Sequence, residues 1–387
     1  MRPLRLRLTS RLPQLEIWTL ATAAVVAVAL QTGCTKGVEF GVSEREIFVD
    51  HSRNGRSGHM GHALVDAGGG RILDFYSNCD GERCGGHSGF GWMEYRISDD
   101  YGRTFGPARV LEYSRRLYEE GKHTALCEKA VRDPDGRILL FFQVTDATKP
   151  ICCEPWSEPT VAVSVDRGET FSDGVGTGAD PGRIYDAVCD GRDVYFITQA
   201  NDARKSFLGN ASNHVYKVWK GNVGAFKPTA LPIDAMGKGY GALAFGKDGS
   251  LIAYVYDSNR EECPEYTVSN DRGKTWSAPR RTYLANRIRN PQLRRIGDVW
   301  LLAGRNGDRG DGIVLYTSVD GIHWDRGEML DRRPPDGGTG YYSNLLPVFE
   351  PGCEPRVLLQ YSHVYSTNRV NIAHRWITLG RAAANVP

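Results

Sequence analysis

The chain has 387 residues, of which 24% are charged and 10% aromatic, and it contains 45 glycines. This composition is typical of a globular protein with a sizeable core and many turns, and it excludes disordered and fibrous proteins. The formal net charge is only +2 at pH 7, and no basic stripe remains once the N-terminal segment is set aside, so we predict no nucleic-acid partner.

The first predicted element is an export signal over residues 1–34. Four arginines precede an apolar run from Trp18 to Leu30, and a Thr-Gly-Cys ending follows it. This is the three-part layout of an export signal, and the apolar run is short for a membrane span. The ending resembles a bacterial lipobox, in which Cys34 is lipidated; an uncleaved signal anchor is the alternative. We expect a periplasmic or cell-surface protein whose membrane attachment is a lipid at Cys34.

Nine cysteines occur in the chain. Setting Cys34 aside leaves an even number, which in an exported protein suggests disulfides of undetermined pairing. Cys79 and Cys84 are close enough in sequence to close a local loop. No CxxC pair is present, and we predict neither a metal nor a cofactor.

One turn motif recurs along the chain with the pattern S-x-D-x-G-x-T-[FW]. The aspartate is expected to bind nearby backbone N–H groups, and the glycine to supply a positive φ. Each copy follows an alternating run typical of a strand. The copies occupy residues 98–105, 164–171, 269–276 and, in shortened form, 318–324.

The spacing of the copies predicts an all-β, six-bladed β-propeller over residues 45–380. The interval from Ser164 to Ser269 is long enough for two blades, and one further blade fits after the last copy. Six blades give about 56 residues per blade, enough for four short strands each. Seven blades are the alternative.

Residues just before the first strand of each blade are expected at the mouth of the central channel, where propellers bind ligands. Arginine binds carboxylates bidentately and aromatic rings stack on sugars, so this set favours an acidic oligosaccharide or polysaccharide. The predicted mouth residues are His59, His62, Asp80, Glu82, Arg83, His87, Lys122, His123, Glu128, Lys129, Arg183, Tyr185, Asp186, Lys238, Tyr240, Arg287, Arg289, Asn290, Tyr341, Tyr342 and Ser343.

The repeated turn is the Asp box of the sialidase superfamily, also called the BNR repeat, and residues 45–380 resemble that superfamily. The segments ending at Arg305 and around Tyr342 are similar to the family's third carboxylate-binding arginine and its nucleophile. The resemblance implies a glycosidase of exo-alpha-sialidase type with Tyr342 as nucleophile, Asp80 as acid/base and Arg305 on the substrate carboxylate. We predict that the substrate also contacts Arg183, Arg287, Arg289, Tyr341 and His123.

Three positions depart from the family pattern, one of them a fourth-blade arginine that is missing from the segment Ala253-Tyr-Val-Tyr-Asp257. The arginine expected before the first inner strand is replaced by His59-Met-Gly-His62, and the glutamate expected to assist the tyrosine is replaced by the region around Tyr240. Glu262 or Glu265 could take the place of that glutamate only if their loop folds inward.

The histidines support a second hypothesis, a lyase acting on uronic-acid polysaccharides. His62, His87 or His123 would abstract a proton, and Tyr240 or Tyr342 would protonate the leaving oxygen. A non-catalytic glycan-binding propeller is the third hypothesis, because a fold does not determine a function. Arg294 and Arg295 are predicted to be solvated surface charges.

Overall fold

A computed structural model of the protein describes residues 38–80, 89–149, 157–200, 215–233, 239–256, 260–306, 312–334 and 340–380. The predicted export signal, residues 1–34, lies outside the described residues, as do Glu82, Arg83, Cys84, His87 and Lys238. Within these ranges no helix has the length and apolar character needed to cross a membrane.

The described residues form 25 strands in six antiparallel sheets. The N-terminal strands are β1 (Phe40–Val42) and β2 (Glu46–Val49). Blade 1 contains β3 (His62–Gly68), β4 (Arg71–Cys79), β5 (Gly91–Ser98) and β6 (Arg109–Val110). The helix α1 (Glu112–Glu119) follows. Blade 2 contains β7 (His123–Arg132), β8 (Ile138–Asp146), β9 (Thr160–Ser164) and β10 (Val175–Gly176).

The other blades repeat this order. Blade 3 contains β11 (Gly182–Cys189), β12 (Val194–Ala200), β13 (Val215–Gly221) and β14 (Lys227–Ala230). Blade 4 contains β15 (Gly241–Phe245), β16 (Leu251–Val255), β17 (Glu265–Ser269) and β18 (Arg280–Arg281). Blade 5 contains β19 (Arg289–Ile296), β20 (Val299–Arg305), β21 (Gly312–Ser318) and β22 (Glu328–Arg332). Blade 6 contains β23 (Ser343–Val348), β24 (Arg356–Ser366) and β25 (Arg369–Leu379).

The six sheets are the blades of a β-propeller, which confirms the six-bladed prediction over the seven-bladed alternative. The inner strands β3, β7, β11, β15, β19 and β23 contact one another in this cyclic order, and β23 contacts β3. Blade 6 closes the ring, because both N-terminal strands pair with β25. This pairing puts strands from both ends of the described chain into one blade, which links blade 6 to the segment leading into blade 1.

The apolar core lies between neighbouring blades. Phe75 of blade 1 packs in one cluster with Leu140 and Phe142 of blade 2. Leu315 of blade 5 packs in another cluster with Leu359 of blade 6. All five side chains are fully buried. The sheets therefore stack face to face around the axis, and the inner strand ends are left to form the mouth.

The repeated turns join the third and fourth strands of blades 1, 2, 4 and 5. In the first, Asp100 accepts hydrogen bonds from the backbone N–H of Thr104 at 2.9 Å and from its hydroxyl at 2.6 Å. The N–H of Gly102 donates to Ser98 Oγ at 2.8 Å, and Gly102 has φ +81°. The next two copies repeat these bonds. These turns lie toward the outer edge of each blade and stabilise the hairpins.

Four cysteines depart from the disulfide prediction. Cys127, Cys189, Cys263 and Cys353 carry free thiols in the described part of the chain. Burial raises the pKa of the Cys127 thiol well above its usual range, so that thiol is unreactive near neutral pH.

Arg294 is not a solvated surface charge, contrary to the prediction. Its guanidinium donates to both carboxylate oxygens of Asp186, at 2.8 and 2.9 Å. The Asp186 side chain is fully buried and also accepts from the backbone N–H of Leu243 at 2.9 Å. This pair ties the inner strands of blades 3, 4 and 5 together.

Candidate functional site

The N-terminal ends of the inner strands surround one cavity at the mouth of the propeller. All six blades contribute to it. Its polar and aromatic lining residues are His62, Glu128, Lys129, Arg183, Tyr185, Tyr240, Asn290, Gln292, Tyr342, Ser343 and Asn344. The ring therefore gathers side chains from distant parts of the chain around a shared space, as the propeller prediction required.

A buried ion pair joins blades 2 and 3 in this cavity. Arg183, only 3% exposed, donates to Glu128 Oε2 at 2.9 Å and to Tyr240 Oη at 3.2 Å. Burial raises the pKa of Glu128, and the nearby charge of Arg183 opposes that rise without cancelling it. Among the described residues, Glu128 Oε1 has no hydrogen-bond partner. Glu128 is thus a carboxyl group with one oxygen available and a raised affinity for a proton.

Two guanidinium groups lie against the ring of Tyr342. The Arg305 guanidinium carbon is 4.8 Å from the ring centre, and that of Arg183 is 5.7 Å from it. Arg305 is 3% exposed, and its Nε has no partner within the described ranges. The His59 ring contacts Tyr342 edge-on, at 5.1 Å between ring centres. Tyr342 is therefore a phenol held in a cationic environment inside the cavity.

A second arginine–glutamate pair, Arg289 with Glu261, lies beside Arg305. Arg289 opposes Arg305 in the pairing of β19 with β20, and its Nε donates to Glu261, which is buried. Glu261 is thus the buried glutamate of this loop, next in sequence to Glu262. Glu265 instead pairs with Arg281 near the outer strand of blade 4.

Lys129 bridges three blades across the cavity. Its ammonium donates to Gln292 Oε1 at 2.7 Å and to Asn344 Oδ1. Asn344 in turn donates to the backbone oxygen of His62 at 2.9 Å. Burial lowers the pKa of Lys129 to about 8, so the ammonium is mostly charged at neutral pH and loses its proton in mild alkali.

His62 lines the cavity as a neutral base. Its Nε2 forms a hydrogen bond with the backbone oxygen of Gly58, and burial lowers its pKa to about 4. A carbonyl oxygen only accepts, so Nε2 carries the proton and Nδ1 is the acceptor nitrogen of the ring.

Several predicted site residues lie elsewhere. Tyr341 lies just before β23 with φ +67°. It is fully buried between blades 5 and 6 and stacks on Tyr361, with 6.2 Å between the ring centres. Arg287 is exposed and does not line the cavity. His123 is the first residue of β7, whereas Glu128 and Lys129 of the same strand line the cavity and His123 does not. Asp80 follows β4, half-buried and outside the lining residues.

Other residues of the site were not predicted from the sequence. Glu261, Gln292 and Asn344 hold the cationic side chains, and none of the three was assigned a role from the sequence. The sequence signal that could have identified them is a polar residue that occurs at equivalent positions of several inner strands whose other residues are mostly apolar. That signal can be read only when the strand register is known.

No family model matches the chain, and no curated protein sequence matches it. Solved structures do share its fold. One is a protein of unknown function from Dyadobacter fermentans, 15% identical, with a TM-score of 0.66 over 88% of this chain and 99% of that one. A Hadza microbial sialidase is 17% identical, with a TM-score of 0.63 over 87% and 68%. The intramolecular trans-sialidase from Ruminococcus gnavus is 11% identical, with a TM-score of 0.59 over 88% and 98%. At these identities the likeness is one of fold, a sialidase-type β-propeller.

Proposed function

We propose that the protein is a sialidase-like glycoside hydrolase that acts on an acidic glycan at the propeller mouth. The observation that carries this proposal is the placement of Arg305 and Arg183 against the ring of Tyr342. Solved sialidases with the same fold support the substrate class, although the likeness itself concerns the fold.

Tyr342 is the proposed nucleophile. A neutral phenol approaches a carboxylated sugar without the repulsion that a carboxylate nucleophile would meet. Arg305 and Arg183 carry guanidinium groups of the kind that bind a carboxylate bidentately, and the Nε of each has no partner in the described chain.

Glu128 is the proposed proton-exchanging group. Its raised pKa and available oxygen suit a group that gives a proton to the leaving oxygen and then takes one from water. Asp80, the residue that the family resemblance implies, is the competing candidate. Glu128→Gln and Asp80→Asn separate the two: the variant that loses the acidic or alkaline limb of the pH–rate profile identifies the acid/base.

The experiment measures sugar release from a panel of carboxylated glycosides. Tyr342→Phe removes the attacking hydroxyl and is expected to abolish turnover, whereas the exposed Tyr283→Phe is a matched control that retains it. Arg305→Met is expected to lower kcat/KM about 10- to 100-fold through loss of charge-assisted hydrogen bonds, while the exposed Arg332→Met changes nothing. Full activity of Tyr342→Phe would refute the mechanism.

A lyase acting on uronic-acid polysaccharides is the second candidate, because His62 lines the same cavity as Tyr240 and Tyr342. A neutral His62 accepts the C5 proton, and a tyrosine protonates the leaving oxygen. The lyase product contains a new double bond that absorbs ultraviolet light, and a hydrolase product does not. Binding of acidic glycans without any product would leave a glycan-binding propeller.

We also propose that the protein is exported and that Cys34 is its lipid attachment site. The basic and apolar segments before Cys34 support this proposal. Mass spectrometry of the protein purified from membranes tests it, because lipidation adds mass to an N-terminal Cys34. A mature N-terminus at another residue would contradict it.

A further inference from the structure

We propose that Asn290 and Ser343 form a neutral hydrogen-bonding subsite that selects hydroxylated sugar acids over other carboxylates. The inference rests on the proposed function, since it concerns the ligand whose carboxylate Arg305 would hold. It adds a specificity determinant made of uncharged groups on blades 5 and 6.

Asn290 is a buried amide with both polar atoms unused. It lines the cavity and is 5% exposed, and neither Oδ1 nor Nδ2 has a hydrogen-bond partner among the described residues. Its backbone has φ +53°, a left-handed conformation that asparagine tolerates better than most side chains. Folded proteins rarely leave both ends of a buried amide unpaired, because each unmade bond is costly.

Ser343, on the neighbouring blade, is likewise a buried polar side chain without a hydrogen-bond partner among the described residues. It also lines the cavity at 5% exposure, and its Oγ has no partner in the described chain. Two other polar residues of β19 and β23 do have partners: Gln292 and Asn344 accept hydrogen bonds from Lys129 with their amide oxygens. Of the uncharged polar cavity residues that the structure describes on β19 and β23, Asn290 and Ser343 are therefore the two whose side chains have unpaired groups.

The chemistry of the two groups defines what they bind. An amide and a hydroxyl each donate and accept, so together they suit sugar hydroxyl or acylamido groups and carry no charge to attract a carboxylate. Asn290 follows Arg289 in the chain, and Ser343 follows Tyr342, whose ring contacts the Arg305 and Arg183 guanidiniums. A site with buried unpaired groups penalises a ligand that cannot bond to them, which is the basis of strong selection.

The test compares binding of three carboxylates by isothermal titration calorimetry of the full chain. The probes are glucuronate, N-acetylneuraminate and cyclohexanecarboxylate, which lacks hydroxyls. Asn290→Gly removes the amide and keeps the left-handed backbone accessible. Its matched control is Asn368→Gly, at φ +56° in the exposed turn between β24 and β25. Ser343→Ala is a second variant with almost no change in shape.

We expect Asn290→Gly to weaken binding of at least one sugar acid about tenfold, Ser343→Ala to weaken it several-fold, and neither to affect cyclohexanecarboxylate. Asn368→Gly should bind every probe as the wild type does. Equal losses for all three probes, or no loss for either sugar acid, would overturn the inference and leave the carboxylate-binding proposal intact. If the wild type bound none of the probes, the proposed function and the inference would fail together.

Discussion

The buried ammonium of Lys129 provides a sharp test of the mouth geometry. Its pKa falls from the ordinary value of 10.5 to about 8 because burial removes the ammonium from water. Lys129→Met keeps an unbranched side chain of similar length and removes the titrating group. In the variant, Gln292 and Asn344 lose their hydrogen-bond donor. The free energy of unfolding of the variant therefore differs from that of the wild type by a constant cost, from these lost bonds, and by a pH-dependent part, from the missing ammonium.

The pH-dependent term has a definite sign. Between pH 8 and 10.5 the unfolded chain keeps the Lys129 proton, whereas the folded protein has lost it. Stability rises with pH wherever the unfolded state binds more protons, here by about 1.4 kcal/mol per pH unit. Over the whole window the wild type should therefore gain about 3 kcal/mol of unfolding free energy relative to Lys129→Met.

Urea unfolding of both proteins at intervals from pH 7 to 10.5 measures this gain. Taking the difference between the two proteins removes the titration of tyrosines and other groups that they share. Lys227→Met, at an exposed position in β14, is the control for a lysine-to-methionine substitution outside the mouth. A constant difference between wild type and Lys129→Met across the range would show that Lys129 does not lie buried and bonded across the mouth.

Two further predictions concern stability. Asp186→Ala leaves the Arg294 guanidinium without its buried partner and should destabilise the protein by about 3–5 kcal/mol, measured by urea unfolding; a change below about 1 kcal/mol would contradict the placement. Gly168→Ala would put a methyl group 2.1 Å from Leu73 Cδ2, whereas Gly178→Ala shares the positive φ but meets no described atom within 4 Å. The first should therefore be less stable than the second by about 1–3 kcal/mol, and equal midpoints in thermal unfolding would refute the assigned packing.

Much of the fold could be predicted from the sequence because its signals are local. The hydrogen bonds within each repeated turn join residues no more than four positions apart, as between Asp100 and Thr104. A short segment of sequence therefore contains all the residues that form the turn. The strand periodicity and the spacing of the turns then led to six blades. The presence of Arg183, Tyr240 and Tyr342 around the mouth followed from their positions just before inner strands or at their start.

What the sequence by itself determined is therefore the repeating unit, the number of blades and the set of chain segments that reach the mouth. Only the tertiary structure decided which side chains of those segments meet, as Lys129 and Asn344 do although 215 positions separate them. The physical reason is that successive residues of a strand face opposite ways, so a small change of register exchanges a cavity residue for a core residue. Tyr342 and Tyr341 are adjacent in sequence, yet Tyr342 lines the cavity and Tyr341 lies in the apolar core.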